Sequence, residues 1–408
     1  MASVKLRSEH TDRSGAARTS SRANGRRRKA FYALRSTFYV LVALLLAACR
    51  QAAPAAEAPA PTTSASTDGA AAPTSAAAPA EATAAPAASG EPVTLRLAYF
   101  PNLTHGVALV GVERGTFKEA LGPNVTLDVK TFNAGPALIE ALFADEVDIG
   151  YIGPNPAING YVKSKGAALR VIAGASSGGA LFVVRPDANI KVAKDLAGKK
   201  LASPQLGGTQ DVALRFYLQQ NGLQTADKGG DVTIVPTQNP DILTLFKKGE
   251  IDGAWVPEPW ATRLVQEASG QVFIDERTIW PEGQFVTTHV IVNTKFLNAH
   301  PDLVTAFLKA HVDTVQFIKD NADGAKSIVN SEIERITGQP LARDLLDKAY
   351  GNLDITYDPL AKTLFTSADS AFALGFLGDS KPDLAGIYDL GPLNAVLKEK
   401  GLATIAAP

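Results

Sequence analysis

Four short stretches set glycine, proline, asparagine and threonine where an apolar run gives way to a helical pattern. They are Pro101-Asn-Leu-Thr-His-Gly106, Asn133-Ala-Gly-Pro136, Gly153-Pro-Asn-Pro156 and Gln205-Leu-Gly-Gly-Thr-Gln-Asp211. Glycine lets a ligand approach the backbone closely. Proline suits the first helical turn, where its missing N–H is no loss. Asparagine and threonine side chains cap a helix or turn to a ligand. The free N–H groups of a helix start, at the positive end of its dipole, favour an anion. Each turn alone reads as an ordinary cap. Repeated in two units of chain, they point to an anion pocket with Asn102, His105, Gly135, Gly153, Pro154, Asn155, Gly207, Gly208 and Thr209 as candidate ligand residues.

Other stretches admit two readings. Ser176-Ser177-Gly178 falls where the chain is expected to cross between its two units, and is either hinge and pocket edge or only a tight turn. In Trp255-Val-Pro-Glu-Pro-Trp260 the tryptophans could clamp an organic body while Glu258 hydrogen-bonds; alternatively Trp255 fills a core and Trp260 packs on a helix. His289, inside an apolar strand, reads as a core histidine or, alternatively, as a pocket donor.

Signals of catalysis are missing. The chain has no G-x-S-x-G elbow, no H-E-x-x-H, no P-loop and no G-x-G-x-x-G after its first strand. The five histidines do not fall at metal-ligand spacings, and the single cysteine makes a zinc site improbable. No cofactor, metal or enzymatic activity is expected.

The elements that must hold these turns alternate. Strand patterns at 93–99, 125–130, 147–152, 169–173 and 179–184 are separated by helical ones, and the alternation restarts beyond Pro186. This predicts α/β lobes with parallel sheets, and a core of this size exceeds what one hydrophobic core supports. A last strand at 285–293 precedes a tail dominated by helical patterns, which needs an existing sheet to pack on. The expected division is lobe 1 at 93–184 with 285–408, and lobe 2 at 185–284.

Ahead of this core, Phe38–Ala48 is an apolar run behind a basic segment, too short for a comfortable membrane span and followed by Cys49. It reads as a signal peptide over 1–48, and Leu46-Ala47-Ala48-Cys49 resembles a bacterial lipobox, which implies cleavage before Cys49 and lipid on its sulfur. Residues 49–92, nearly all Ala, Pro, Ser and Thr, read as a disordered tether. Residues 1–48 hold 10 of the 40 basic and 2 of the 41 acidic residues, so the remainder has a net charge of −9, which argues against a nucleic-acid partner.

Leu97–His105, Thr131–Ala137, Asp148–Pro154, Glu250–Trp260 and Phe296–Pro301 resemble the solute-binding proteins of ABC importers for aliphatic sulfonates, taurine and nitrate. The resemblance implies a two-lobed, hinged fold of the periplasmic-binding-protein type. A small anionic solute would be held in the cleft at Asn102, His105, Gly153-Pro154, Ser176–Gly178 and Gly207–Thr209, and delivered to permease and ATPase subunits. A monomer outside the cytoplasm, anchored to the membrane by lipid, is expected. Related proteins bind thiamine-precursor pyrimidines. A bilobal enzyme using Glu258 and an extracytoplasmic sensor are the remaining alternatives.

Overall fold

The computed structural model describes residues 91–406. The expected signal peptide, Cys49 and the tether up to Gly90 lie outside them. The chain opens with strand β1 (Val93–Tyr99), a 3-10 turn (Leu103–His105) and helices α1 (Gly106–Glu113) and α2 (Thr116–Leu121). It continues through β2 (Val125–Thr131), α3 (Gly135–Phe143), β3 (Ile149–Ile152), α4 (Pro154–Lys163), β4 (Leu169–Gly178) and β5 (Ala180–Val184). Next come β6 (Lys200–Ser203), α5 (Thr209–Gln220), β7 (Thr233–Pro236), α6 (Asn239–Lys247), β8 (Gly253–Pro257), α7 (Trp260–Ala268) and β9 (Gln271–Asp275). Then follow β10 (Val286–Asn293), α8 (Thr294–Ala299), α9 (Pro301–Asp320), α10 (Ala322–Thr337), α11 (Arg343–Tyr350), β11 (Leu353–Ile355), α12 (Ala361–Ala373) and α13 (Gly391–Glu399).

Two sheets result. The first runs β11-β4-β10-β3-β1-β2 and the second β7-β6-β8-β5-β9. Both are mixed, where the sequence predicted parallel sheets. β1 is parallel to β2 and β3, and β6 to β7 and β8. β10 is antiparallel to β3 and β4, and β5 to β8 and β9. The reason is connectivity. A parallel neighbour needs a crossover helix to carry the chain back. β5 instead follows β4 directly through Gly178-Gly179 and belongs to the second sheet. β10 is where the chain re-enters the first sheet after β9. Gly178 and Gly179 both have positive φ, +70° and +73°, and a Cβ on either would lie within 3 Å of neighbouring atoms. The passage between the sheets is therefore open to glycine alone.

Alternation along each strand divides the core. Leu95, Leu97 and Tyr99 of β1 join the cluster under α1, α2 and α9, whereas Ala98 joins Leu138 and Ile158 on the other face. In the second sheet Leu181 and Val183 face Ile242 and Leu264, while Phe182 and Val184 face Leu214, Leu218 and Trp255. Both sheets are thus covered on both faces, which is why their strands read as near-continuous apolar runs.

His311 of α9 shows how polar groups survive in this core. Nε2 lies 2.9 Å from the Gly174 carbonyl and Nδ1 2.7 Å from the Tyr151 hydroxyl. A carbonyl only accepts, so Nε2 carries the proton and Nδ1 accepts from Tyr151. Burial lowers its pKa to about 4. The folded pKa lies below the unfolded value near 6.5, so the unfolded chain takes the proton more readily. The ring's contribution is complete above that value and is lost as the pH falls towards 4. His311→Leu is expected to cost about 2 kcal/mol at pH 7.5, by leaving the Tyr151 hydroxyl and the Gly174 carbonyl unpaired. It is also expected to flatten the acid limb of a stability–pH profile measured by denaturant unfolding. An unaltered acid limb would mean that this ring does not drive it.

Candidate functional site

Five helix starts converge on one cavity between the two sheets. Its lining includes Asn102, Thr104 and His105 ahead of α1, Asn133–Gly135 at α3, Gly153 and Pro156 at α4, Gly208–Gln210 at α5 and Asn239 at α6. Phe100, Pro204, Gln205, Pro257 and Thr287 complete it. The space is about 30 Å³, room for one or two water molecules. The space as it stands is too small for an organic solute. A groove of about 1060 Å³ shares Asn102, Asn133 and Asn239 with the cavity and opens outward past Trp260 and Arg263.

The lining carries no formal charge. His105 is almost fully buried, and burial lowers its pKa to about 3, so the ring is neutral. Its Nδ1 accepts from the Phe100 N–H at 3.3 Å, which leaves the proton on Nε2 as a donor. Asn102 Oδ1 accepts from Trp260 Nε1 at 3.0 Å, a bond between the two halves that leaves the Asn102 amide NH₂ to donate. Thr209 Oγ1 and Asn239 Oδ1 are buried without any partner. A buried hydroxyl left unpaired is costly, and both atoms belong to residues that line the cavity. The His105 Nε2–H, the Asn102 NH₂ and the Thr209 hydroxyl can donate to acceptors on a solute, whereas Asn239 Oδ1 can only accept.

The turn ahead of α5 is fixed from behind. The buried Asp211 accepts from the Gly207 N–H at 2.9 Å, from Ser203 Oγ at 2.7 Å and from Arg215 Nε at 3.0 Å. This holds the left-handed Gly207 (φ +73°) so that Gly208 and Thr209 meet the cavity. Across the gap, a Cβ on Gly153 would come within 2.1 Å of Thr209 Oγ1. At this seam only a glycine lets α4 and α5 approach.

Of the candidates read from the sequence, Asn102, His105, Gly135, Gly153, Gly208 and Thr209 line the cavity together. The others lie elsewhere. Pro154 forms the buried first turn of α4, and Asn155 sends its amide to the Ser367 carbonyl at 3.2 Å. Gly207 serves the turn behind the cavity. Ser176 donates to the Thr104 carbonyl at 2.8 Å, Ser177 accepts from the Phe285 N–H at 3.3 Å, and Gly178 makes the crossing. Trp255 is fully buried in the second lobe, stacked on Phe182 with centroids 5.3 Å apart. Glu258 is equally buried and braces the two halves; its Oε1 accepts from Asn352 Nδ2 at 2.7 Å. Asn239 lines the cavity but was not among the candidates, although Asn239-Pro240 repeats the Asn155-Pro156 pattern. Among the described residues no cluster of His, Cys, Asp or Glu side chains could hold a metal ion.

Comparison with known proteins agrees with this architecture. Over 172 residues the chain is 30% identical to the taurine-binding periplasmic protein of Escherichia coli (strain K12), a match covering 42% of this chain and 50% of that protein. The chain thus spans about half the length of that relative. A Bacillus subtilis (strain 168) protein named for binding aliphatic sulfonates is 25% identical over 295 residues, covering 71% of this chain and 85% of that one. The alkanesulfonate-binding protein SsuA from Xanthomonas axonopodis pv. citri, solved with MOPS bound, superimposes with a TM-score of 0.61 at 17% identity, over 73% of this chain and 99% of that one. The fold is accordingly the two-lobed fold of periplasmic binding proteins, with the cavity in the cleft between lobes. The model of the NMT1-like family matches residues 88–331, more than half of the chain, and the protein belongs to that family.

Proposed function

We propose that the protein is the solute-binding component of an ABC importer. It would be held outside the cytoplasm by lipid on Cys49 and would capture a small anion in the interlobe cleft. The observation that carries this reading is the convergence of five helix starts on a cavity rich in donors and free of charged side chains. Partial positive charge at the helix N-termini suits an anion. A solute touching both lobes binds only the closed arrangement and so draws the equilibrium towards it. A permease would then recognise the closed form.

The lining also bears on the solute. No carboxylate faces the cavity, so an ammonium group would find no counter-charge there. This favours an alkanesulfonate or a nitrate-type anion over the zwitterion taurine. The pyrimidine alternative would rest on tryptophans near the cleft and keeps only one, because Trp255 lies in the second-lobe core while Trp260 bonds to Asn102. The enzyme alternative loses its acid or base, because Glu258 is committed to bracing the lobes.

Thermal unfolding against ethanesulfonate, longer alkanesulfonates, taurine, nitrate and an aminopyrimidine tests the reading. A ligand at about a hundred times its Kd adds about 2.7 kcal/mol to native stability. The expected result is a clear upward shift with one sulfonate or with nitrate, and a smaller one with taurine. A shift with the aminopyrimidine and with no anion would reject the anion site.

A further inference from the structure

A second cavity lies on the other side of Thr209, between α5 of the second lobe and α12 of the first. Its volume is about 380 Å³, within the range of small-molecule sites. Phe216 and Tyr217 wall it from α5, and Trp280 and Phe285 wall it from the return passage between the lobes. The last two rings are stacked with centroids 5.5 Å apart.

Glu276, only 3% exposed, is among the residues that line this cavity, and its carboxyl group sits beside the aromatic rings. Oε2 accepts from Trp255 Nε1 at 2.7 Å and Oε1 from Trp280 Nε1 at 3.2 Å. Two indole N–H groups suit a carboxylate but bring it no positive charge. The neighbouring Arg277 is committed elsewhere, to Asp275 at 2.6 Å and to the Gly351 carbonyl at 3.2 Å. A buried carboxylate without a cation is costly, and burial, with Asp275 nearby, raises the Glu276 pKa to about 7. Aromatic faces attract cations most when water is excluded. An apolar cavity that only braced two tryptophans would have no use for an acid at its edge.

We propose that this cavity is a second ligand site, taking an organic ammonium ion with an apolar body. The cation meets the Glu276 carboxylate, and the body packs among Phe216, Tyr217, Trp280 and Phe285. The site shares only the Thr209 wall with the anion cavity.

Calorimetric titration of the protein with 2-phenylethylammonium and with 2-phenylethanol, which has the same body without the charge, tests the proposal. The ammonium ion is expected to bind about tenfold more tightly or better, and Glu276→Gln is expected to abolish that preference. Equal binding of the two compounds, binding of neither, or a preference that survives Glu276→Gln would overturn it. If Glu276→Gln does not fold, Ala213→Phe decides, because it fills the cavity and leaves the carboxyl group in place. Loss of ammonium binding then supports the site, and unchanged affinity rejects it.

Discussion

Gly153→Ala is expected to weaken binding of the cleft solute by about fivefold or more while leaving the unliganded protein as stable as before. The added Cβ would stand 2.1 Å from Thr209 Oγ1 and 3.2 Å from Thr209 Cβ. Rotating the hydroxyl away relieves the first contact but not the second, and Thr209 begins a helix anchored through Asp211. Overpacking of this kind costs about 1–3 kcal/mol. On the proposed mechanism the cost falls on the closed arrangement alone, because opening of the cleft would separate α4 from α5. By population arithmetic that free energy appears directly as lost affinity, about 5- to 150-fold. The companion variant Thr209→Ala removes the nearer clash, so the double variant should bind better than the two single effects predict. Calorimetry on all four proteins measures this coupling. Strict additivity would show that the two residues do not meet in the bound state.

The second large effect concerns stability. Glu258 is fully buried at the end of β8 and links parts of the chain that lie far apart in sequence. Its carboxyl accepts from the Thr262 N–H at 3.1 Å, from Thr262 Oγ1 at 2.9 Å and from Asn352 Nδ2 at 2.7 Å. Its carbonyl accepts from the Leu103 N–H and its own N–H donates to the Gly179 carbonyl. Glu258→Ala strands three donors in a dry interior, at an expected cost of about 3 kcal/mol in denaturant unfolding. Glu258→Gln keeps the shape and should cost less. Burial raises the Glu258 pKa to about 7, against its hydrogen bonds. Between the unfolded value near 4.5 and 7 the folded protein holds a proton that the unfolded chain releases, so wild-type stability declines across that window. Glutamine does not titrate. The gap between wild type and Glu258→Gln should therefore narrow from pH 5 to pH 8. A gap that widens with pH would mean that the folded network holds the ionised form.

Where one cause dominates, the sequence carried the structure. Thr209–Gln220 and Pro301–Asp320 are helices with the bounds that their caps and periodicity imply. The α10 helix is hard to read from the sequence because its buried face is Ala325, Val329, Glu332 and Ile333. A glutamate in the apolar stripe hides the period, and its reason to be there, accepting from the distant Tyr99 hydroxyl, is tertiary. Three-residue β11 exists only through its pairing with the end of β4. The candidate site was legible as turns but not as side-chain directions. Asn155 and Asn239 both precede a proline at a helix start, yet Asn155 is the second helical residue and Asn239 the first. One step along a helix turns a side chain by about 100°, which takes one asparagine out of the cleft and leaves the other in it.

The uncharged cavity has a consequence for how fast a solute arrives. Helix-end partial charges act over about one turn, so nothing in the lining reaches out to draw an anion from bulk water. Beyond residue 48 the chain carries 39 acidic and 30 basic residues, and at a distance its field repels an anion. Encounter is thus slowed by long-range electrostatics, and raising the ionic strength, which shortens the screening length to about 8 Å at physiological salt, should speed association. A site built around arginine or lysine would show the reverse. Capture of the proposed anion would then depend on how readily it gives up its hydration shell once inside, so weakly hydrated anions should be favoured over sulfate.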